Sequence, residues 1–152
     1  MRRRYVIASI AVAVVLFVIV SVLLARAVGV GDAQTAAVTA LVRYEAQGNT
    51  QGVISLIQGC ARSAACRAHA ESLTATLKAP GAVTIAQLTP SENFAVTSST
   101  GIARVAWLVG SSLPRTQCVR LRNGGSVLTG FDIQLLDVTP KLASDASCPS
   151  RF

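Results

Sequence analysis

The sequence predicts an α+β protein: an N-terminal transmembrane helix followed by helices packed on a curved antiparallel sheet. Three observations lead there. Residues 5–25 are apolar and uncharged, residues 32–78 repeat their apolar positions at three and four, and after Pro80 and Gly81 the repeat drops to two.

The first element is the anchor. At 1.5 Å per helical residue the stretch 5–25 spans roughly 31 Å, about the thickness of a bilayer core. Arg2, Arg3 and Arg4 precede it and Arg26 alone follows closely. This bias assigns residues 1–4 to a cytoplasmic tail and everything after the span to the outside. A cleaved signal peptide is the rival reading, since Ala25, Arg26 and Ala27 loosely match a small-any-small cleavage pattern. Such peptides have apolar cores of only about 7–15 residues, so an uncleaved anchor is expected. No cysteine near its end invites acylation, and the glycine and early glutamate of a type IV pilin are missing.

Residues 26–32 read as a linker, with Asp32 as an N-cap for a helix in which Val38, Leu41, Val42 and Glu45 form one stripe and Gly48 gives the stop. A second helix is expected with Thr50 as cap, Val53, Ile54 and Ile57 on one face, and Gly59 closing it. Ser63 is placed to cap a third, whose face holds Cys66, His69, Leu73 and Leu77 before Lys78–Ala82 breaks it.

Strand periodicity follows in Val83 and Ile85, in Phe94 and Val96, and in Ala103, Val105, Trp107 and Val109. Val119 and Leu121 alternate with Cys118, Arg120 and Arg122. Phe131, Ile133 and Leu135 alternate with Asp132 and Gln134. Asn123, Gly124 and Gly125 between the two runs predict a hairpin turn there. One domain over residues 33–138 accommodates these elements, leaving a tail, 139–152, to be tied down through Cys148.

Composition narrows the function classes. Four of the 14 Lys and Arg belong to the anchor, leaving ten against seven Asp and Glu, a net +3 spread along residues 28–152. That is no basic stripe with stacking aromatics, so nucleic acid is not an expected partner.

Cys60, Cys66, Cys118 and Cys148 all follow the span, on the side where disulfides persist. Four thiols allow three pairings; proximity favours Cys60 with Cys66 and, by remainder, Cys118 with Cys148. His69, the single histidine, stands three residues after Cys66 and raises a metal or redox alternative. A closed zinc site takes four ligands, a catalytic one three plus an open position, and a redox pair is usually two residues apart near a helix start. The spacing fits neither, so no metal or cofactor is expected.

The segment 40–57, a helix reaching Tyr44, a tight Gly48–Asn49 turn and a second short helix, is followed by a third helix and a meander ending in 118–138. This order resembles the nuclear transport factor two-like, cystatin-like cone over residues 33–138. The Ala-, Val- and Arg-rich composition together with the anchor resembles actinobacterial envelope proteins. Members of this fold commonly place a strand among the helices, and none is legible before residue 82. The resemblance implies a cone that in related enzymes holds a His or Asp base at its floor.

Glu45 and His69 are therefore the weak candidates for a base, with Trp107 and Phe131 as candidate pocket walls. Glu45 shares the inward stripe, where partial burial raises a carboxyl pKa; otherwise it snorkels past Val42 or pairs with an arginine. His69 has Glu71 nearby, but residues two apart on a helix do not face each other. The serines lack a nucleophile-elbow context, and Gly124 and Gly125 precede no helix, so neither hydrolysis nor phosphate binding is supported. The expected role is a non-catalytic accessory or assembly subunit, contacting the bilayer through residues 5–25 and docking to an envelope protein. The alternative is small-ligand binding or lyase- or isomerase-like chemistry in the cone.

Overall fold

In the computed structural model, which describes residues 2–90, 98–126, 130–143 and 147–150, helix α1 spans Arg2–Gln47. It is followed by α2 (Thr50–Leu56), a 3-10 turn (Cys60–Arg62) and α3 (Ala64–Leu77). Strands β1 (Val83–Thr89), β2 (Ser99–Val109), β3 (Arg115–Ser126) and β4 (Gly130–Val138) follow. The strands form one antiparallel meander in the order β1-β2-β3-β4, and the helices pack on one face of it. The α+β class read from the sequence is the observed one.

α1 corrects the expected start of the domain. The helix runs without a break through residues 26–32, so these residues form no extended linker and Asp32 is an exposed mid-helix residue rather than a cap. Two glycines and an aspartate are poor helix formers, but the turn before them already supplies carbonyl partners, and propagation costs far less than nucleation. Val30 and Gln34 are buried. Thr35 Oγ1 and Thr39 Oγ1 donate to the carbonyls of Gly31 and Thr35 at 2.8 and 2.6 Å. The membrane-length part of α1 exposes its apolar side chains from Ile7 to Leu24, while the expected stripe of Val38, Leu41 and Val42 is fully buried. Each such side chain contributes about 1.5–3 kcal/mol on leaving water.

Gly48, at φ 71°, ends α1: its N–H donates to Glu45 O and that of Asn49 to Tyr44 O, a Schellman closure. The side chain of Asn49, not that of Thr50, caps α2 by accepting from Gly52 N at 2.9 Å. Thr50 is instead the first helical residue, and its hydroxyl bonds that of Thr74 at 2.7 Å. Gly59 turns the chain at φ 76° into the 3-10 turn, and Ser63 caps α3 as expected.

Ala103, Val105, Trp107 and Val109 face the helices from β2, and Val119 and Leu121 from β3. Phe94 and Val96 lie outside the described residues. β3 does not turn at Asn123–Gly125; these residues pair with Ile133, Asp132 and Phe131, and the ladder continues to Ser126 opposite Gly130. A Cβ on Gly125, itself at φ 79°, would stand 2.1 Å from Gly130 O, so glycine here permits close strand approach rather than forming the turn. No strand forms among the helices. At the end of α2, however, Ile57 makes a single parallel bridge to Leu135, and Gln58 N donates to Leu135 O at 2.7 Å.

Candidate functional site

Glu45 lies at the centre of the helix–sheet interface and is fully buried. Alternation along β3 sends Gln117 inward with Val119, and β2 brings Trp107 beside it. Trp107 Nε1 donates to Gln117 Oε1 at 2.6 Å; Gln117 Nε2 donates to Glu45 Oε1 at 3.3 Å and to Thr139 O at 3.2 Å. Glu45 Oε2 is buried without a hydrogen-bond partner.

Removal from water pushes the Glu45 carboxyl up to about 8, and the Gln117 hydrogen bond lowers it only in part. Glu45 is thus mostly protonated at neutral pH. It neither snorkels nor pairs with an arginine, as its bland reading supposed.

Trp107 fills the core instead of walling a pocket. Its ring is fully buried, and the Arg115 guanidinium stands 5.3 Å above the ring centroid while Nη1 donates to Leu77 O at the end of α3. Leu41, Leu77 and Leu121 fill the space around it. Phe131 is paired with Gly125 at the far end of the sheet, and its side chain lies outside the described ones. Glu45 and Trp107 are therefore neighbours in one buried polar chain, and among the described residues neither lines the concavity beside His69 or the smaller one beside Arg43 and Gly81.

The larger concavity, about 500 Å³, opens between the 3-10 turn, the start of α3 and the end of β4. Its lining includes Gln58, the Cys60–Cys66 disulfide, His69, Asp137 and Pro140. The two cysteines have Cα atoms 5.2 Å apart, and the bridge joins the 3-10 turn to the first turn of α3. His69 Nε2 is 2.7 Å from Val138 O. A carbonyl only accepts, so Nε2 carries the hydrogen, and the imidazole caps a carbonyl of the sheet's outer strand. Among the described residues no group of three or more His, Cys, Asp or Glu is placed to hold a metal.

Cys118 is bonded to Cys148, with Cα atoms 5.7 Å apart. Both expected cysteine pairs are therefore present. Thr116 and Cys118 alternate away from the core yet are buried, because the chain after β4 continues along β3. Thr139 N donates to Cys118 O, Cys118 N to Thr139 Oγ1, and Leu142 N to Thr116 O, at 2.9, 2.9 and 2.7 Å.

Sequence reasoning missed Gln117, Thr139 and the buried pair Gln34–Asn123, whose side chains bond at 2.9 Å. Gln117 had a signal, since it extends the inward alternation of Val119 and Leu121 by one step. Asn123 was masked by its turn-like context. The chain matches no family model, no curated protein and no solved structure.

Proposed function

We propose that this chain is a single-pass membrane protein with a cytoplasmic N-terminus, whose outer domain acts as a non-catalytic accessory or assembly subunit by docking to another envelope protein. The resemblance of the domain's element order to the nuclear transport factor two-like cone is part of this reading. The observation that carries the reading is the filled interior: Trp107, Leu41, Leu121 and Glu45 occupy the space a ligand would need, while the groove beside His69 stays open. Two disulfides beyond an apolar helix long enough to span support an oxidising compartment. The Arg2–Arg4 cluster supports the orientation.

In-cell photocrosslinking from the full chain tests this. Probes at Ala65 and Asp137, in the groove, are expected to capture one envelope protein, whereas a probe at exposed Thr84 on β1 is not. Equal yields from all three positions, or none from the groove, would count against docking there.

A further inference from the structure

We infer that the end of the sheet formed by the β3–β4 hairpin rests in the headgroup layer of the same bilayer that α1 crosses, held there by the uninterrupted helix. The inference rests on the reading of α1 as a membrane span and goes beyond it by assigning a second, peripheral lipid contact to the folded domain.

Two buried contacts set the direction of β3 along α1. Gln34 bonds Asn123 near one end, and Glu45 accepts from Gln117 near the other. The eleven residues between Gln34 and Glu45 rise about 16 Å, and the six between Asn123 and Gln117 extend about 20 Å. Lengths so similar require the strand to run beside the helix and antiparallel to it. β3 therefore heads toward the membrane as its numbers increase.

From Gln34 back to Ala25, the end of the apolar run, the helix spans about 13 Å. From Asn123 onward to Ser126, where β3 pairs with Gly130, the strand covers about 10 Å of that height. The Ser126–Gly130 rung thus lies about 4 Å above the hydrocarbon edge, inside a headgroup layer roughly 5–7 Å thick. A tilt of about 20°, typical of spanning helices, moves a point 10 Å to the side of the axis by about 3 Å, which keeps it in or against that layer.

The chemistry suits such a surface. In each of the last three rungs of the ladder one member, Gly124, Gly125 or Gly130, is a glycine with no side chain to hold its backbone away from lipid headgroups. Arg122, exposed at the same end, can meet a phosphate, and exposed Asp132 is already engaged by Gln134 Nε2 at 2.7 Å. At the opposite end of the sheet, the turn residues Gly110 and Ser111 between β2 and β3 are exposed to solvent far from the bilayer.

The full chain, isotope-labelled and reconstituted in phosphatidylcholine nanodiscs with a gadolinium-chelate headgroup lipid, gives the test. Amide signals of Gly124, Gly125 and Asp132 are expected to lose most of their intensity, and those of Gly110 and Ser111 to keep theirs. Hydrogen exchange of Ile10–Leu24 is read in the same sample. Exposed amides there would defeat the spanning reading and this inference with it. Protected amides together with an unrelaxed hairpin, or with stronger relaxation at Cys60–Arg62, would overturn the inference alone. A six-residue Gly-Ser insertion after Ala27 should abolish the hairpin relaxation and leave the span protected; persistence of the relaxation would overturn the role given to the continuous helix.

Discussion

Replacing Glu45 with glutamine should remove a steep pH dependence from the stability of the folded domain. In the folded chain the carboxyl holds its proton up to a pH of about 8, against a usual 4.5. Between those limits the folded state binds more protons than the unfolded state, so stability is fully present below pH 4.5 and falls as the pH rises toward 8. At 1.36 kcal/mol per pKa unit the whole fall is about 4–5 kcal/mol, and about 3 kcal/mol of it has occurred by pH 7. The desolvated site, 0% exposed and with Oε2 unpartnered, is the cause. Glu45→Gln has no proton to lose, and its amide oxygen can still accept from Gln117.

The assay is urea unfolding of the full chain in micelles, followed through Trp107, the only tryptophan, from pH 4.5 to 8. Other carboxylates contribute equally to both proteins, so the difference between the two stability curves isolates position 45. That difference should grow in favour of the variant by roughly 4 kcal/mol across the window. Curves that stay parallel, or that diverge in the opposite sense, would show that Glu45 is solvated or charge-paired, and would refute the buried neutral acid.

Gly31→Ala should stabilise the chain by about 0.5–1 kcal/mol, read as a higher urea midpoint, because the new methyl meets nothing within 4 Å in the continuous helix; a lower midpoint would argue for a break at that position. Gly52→Ala should cost about 1–3 kcal/mol, since its Cβ would stand 2.6 Å from the Tyr44 ring. Adding Tyr44→Ala in a double-mutant cycle should recover part of that loss, and strict additivity would deny the contact. Opening the Cys118–Cys148 bridge with Cys148→Ser should lower stability by about 3–4 kcal/mol in the loop-entropy account, given the separation of 30 residues; an unchanged midpoint would mean the hydrogen bonds of Thr139 and Leu142 hold the tail alone.

What could be read from the sequence was whatever depends on periodicity and proximity. The inward run of Ala103, Val105 and Trp107, the stripe of Val38, Leu41 and Val42, and both disulfides follow from spacing, and all are observed. What could not be read depends on the partner surface. Gly29, Gly31 and Asp32 carry the local signature of a helix boundary, which is overridden by helical turns already formed and by the burial of Val30 and Gln34. Asn123–Gly125 carry the signature of a turn, but the glycines serve a close approach of β4 instead. Glu45 was recognised as facing inward, yet its neutral state required knowing that Gln117, not an arginine, would face it. His69 was noticed for its chemistry, whereas the contact of its Nε2 with Val138 O, at the edge of the groove, depends on where β4 comes to lie.

On the proposed reading of α1 as a span and of the domain as a docking subunit, the continuity of α1 also constrains what can dock in the groove beside His69. The wall contributed by β4 begins at Leu136, next to Leu135, which pairs with Leu121 two strand residues farther from the membrane than Asn123, and Val138 is opposite Val119, two residues farther again. Adding about 7 and 13 Å of strand to the 13 Å of helix above Ala25 puts the groove wall about 20–27 Å from the hydrocarbon edge. A freely jointed domain could offer that groove over a wide range of heights and orientations, whereas a helical stalk restricts both. The ordering cost of binding is correspondingly smaller, since position and orientation are restricted before the encounter. On that proposal the fitting partner is one that presents its own surface in this narrow zone above the same bilayer, and lengthening the stalk by a flexible insertion should weaken crosslinking from Ala65 and Asp137 even though every residue of the groove is unchanged.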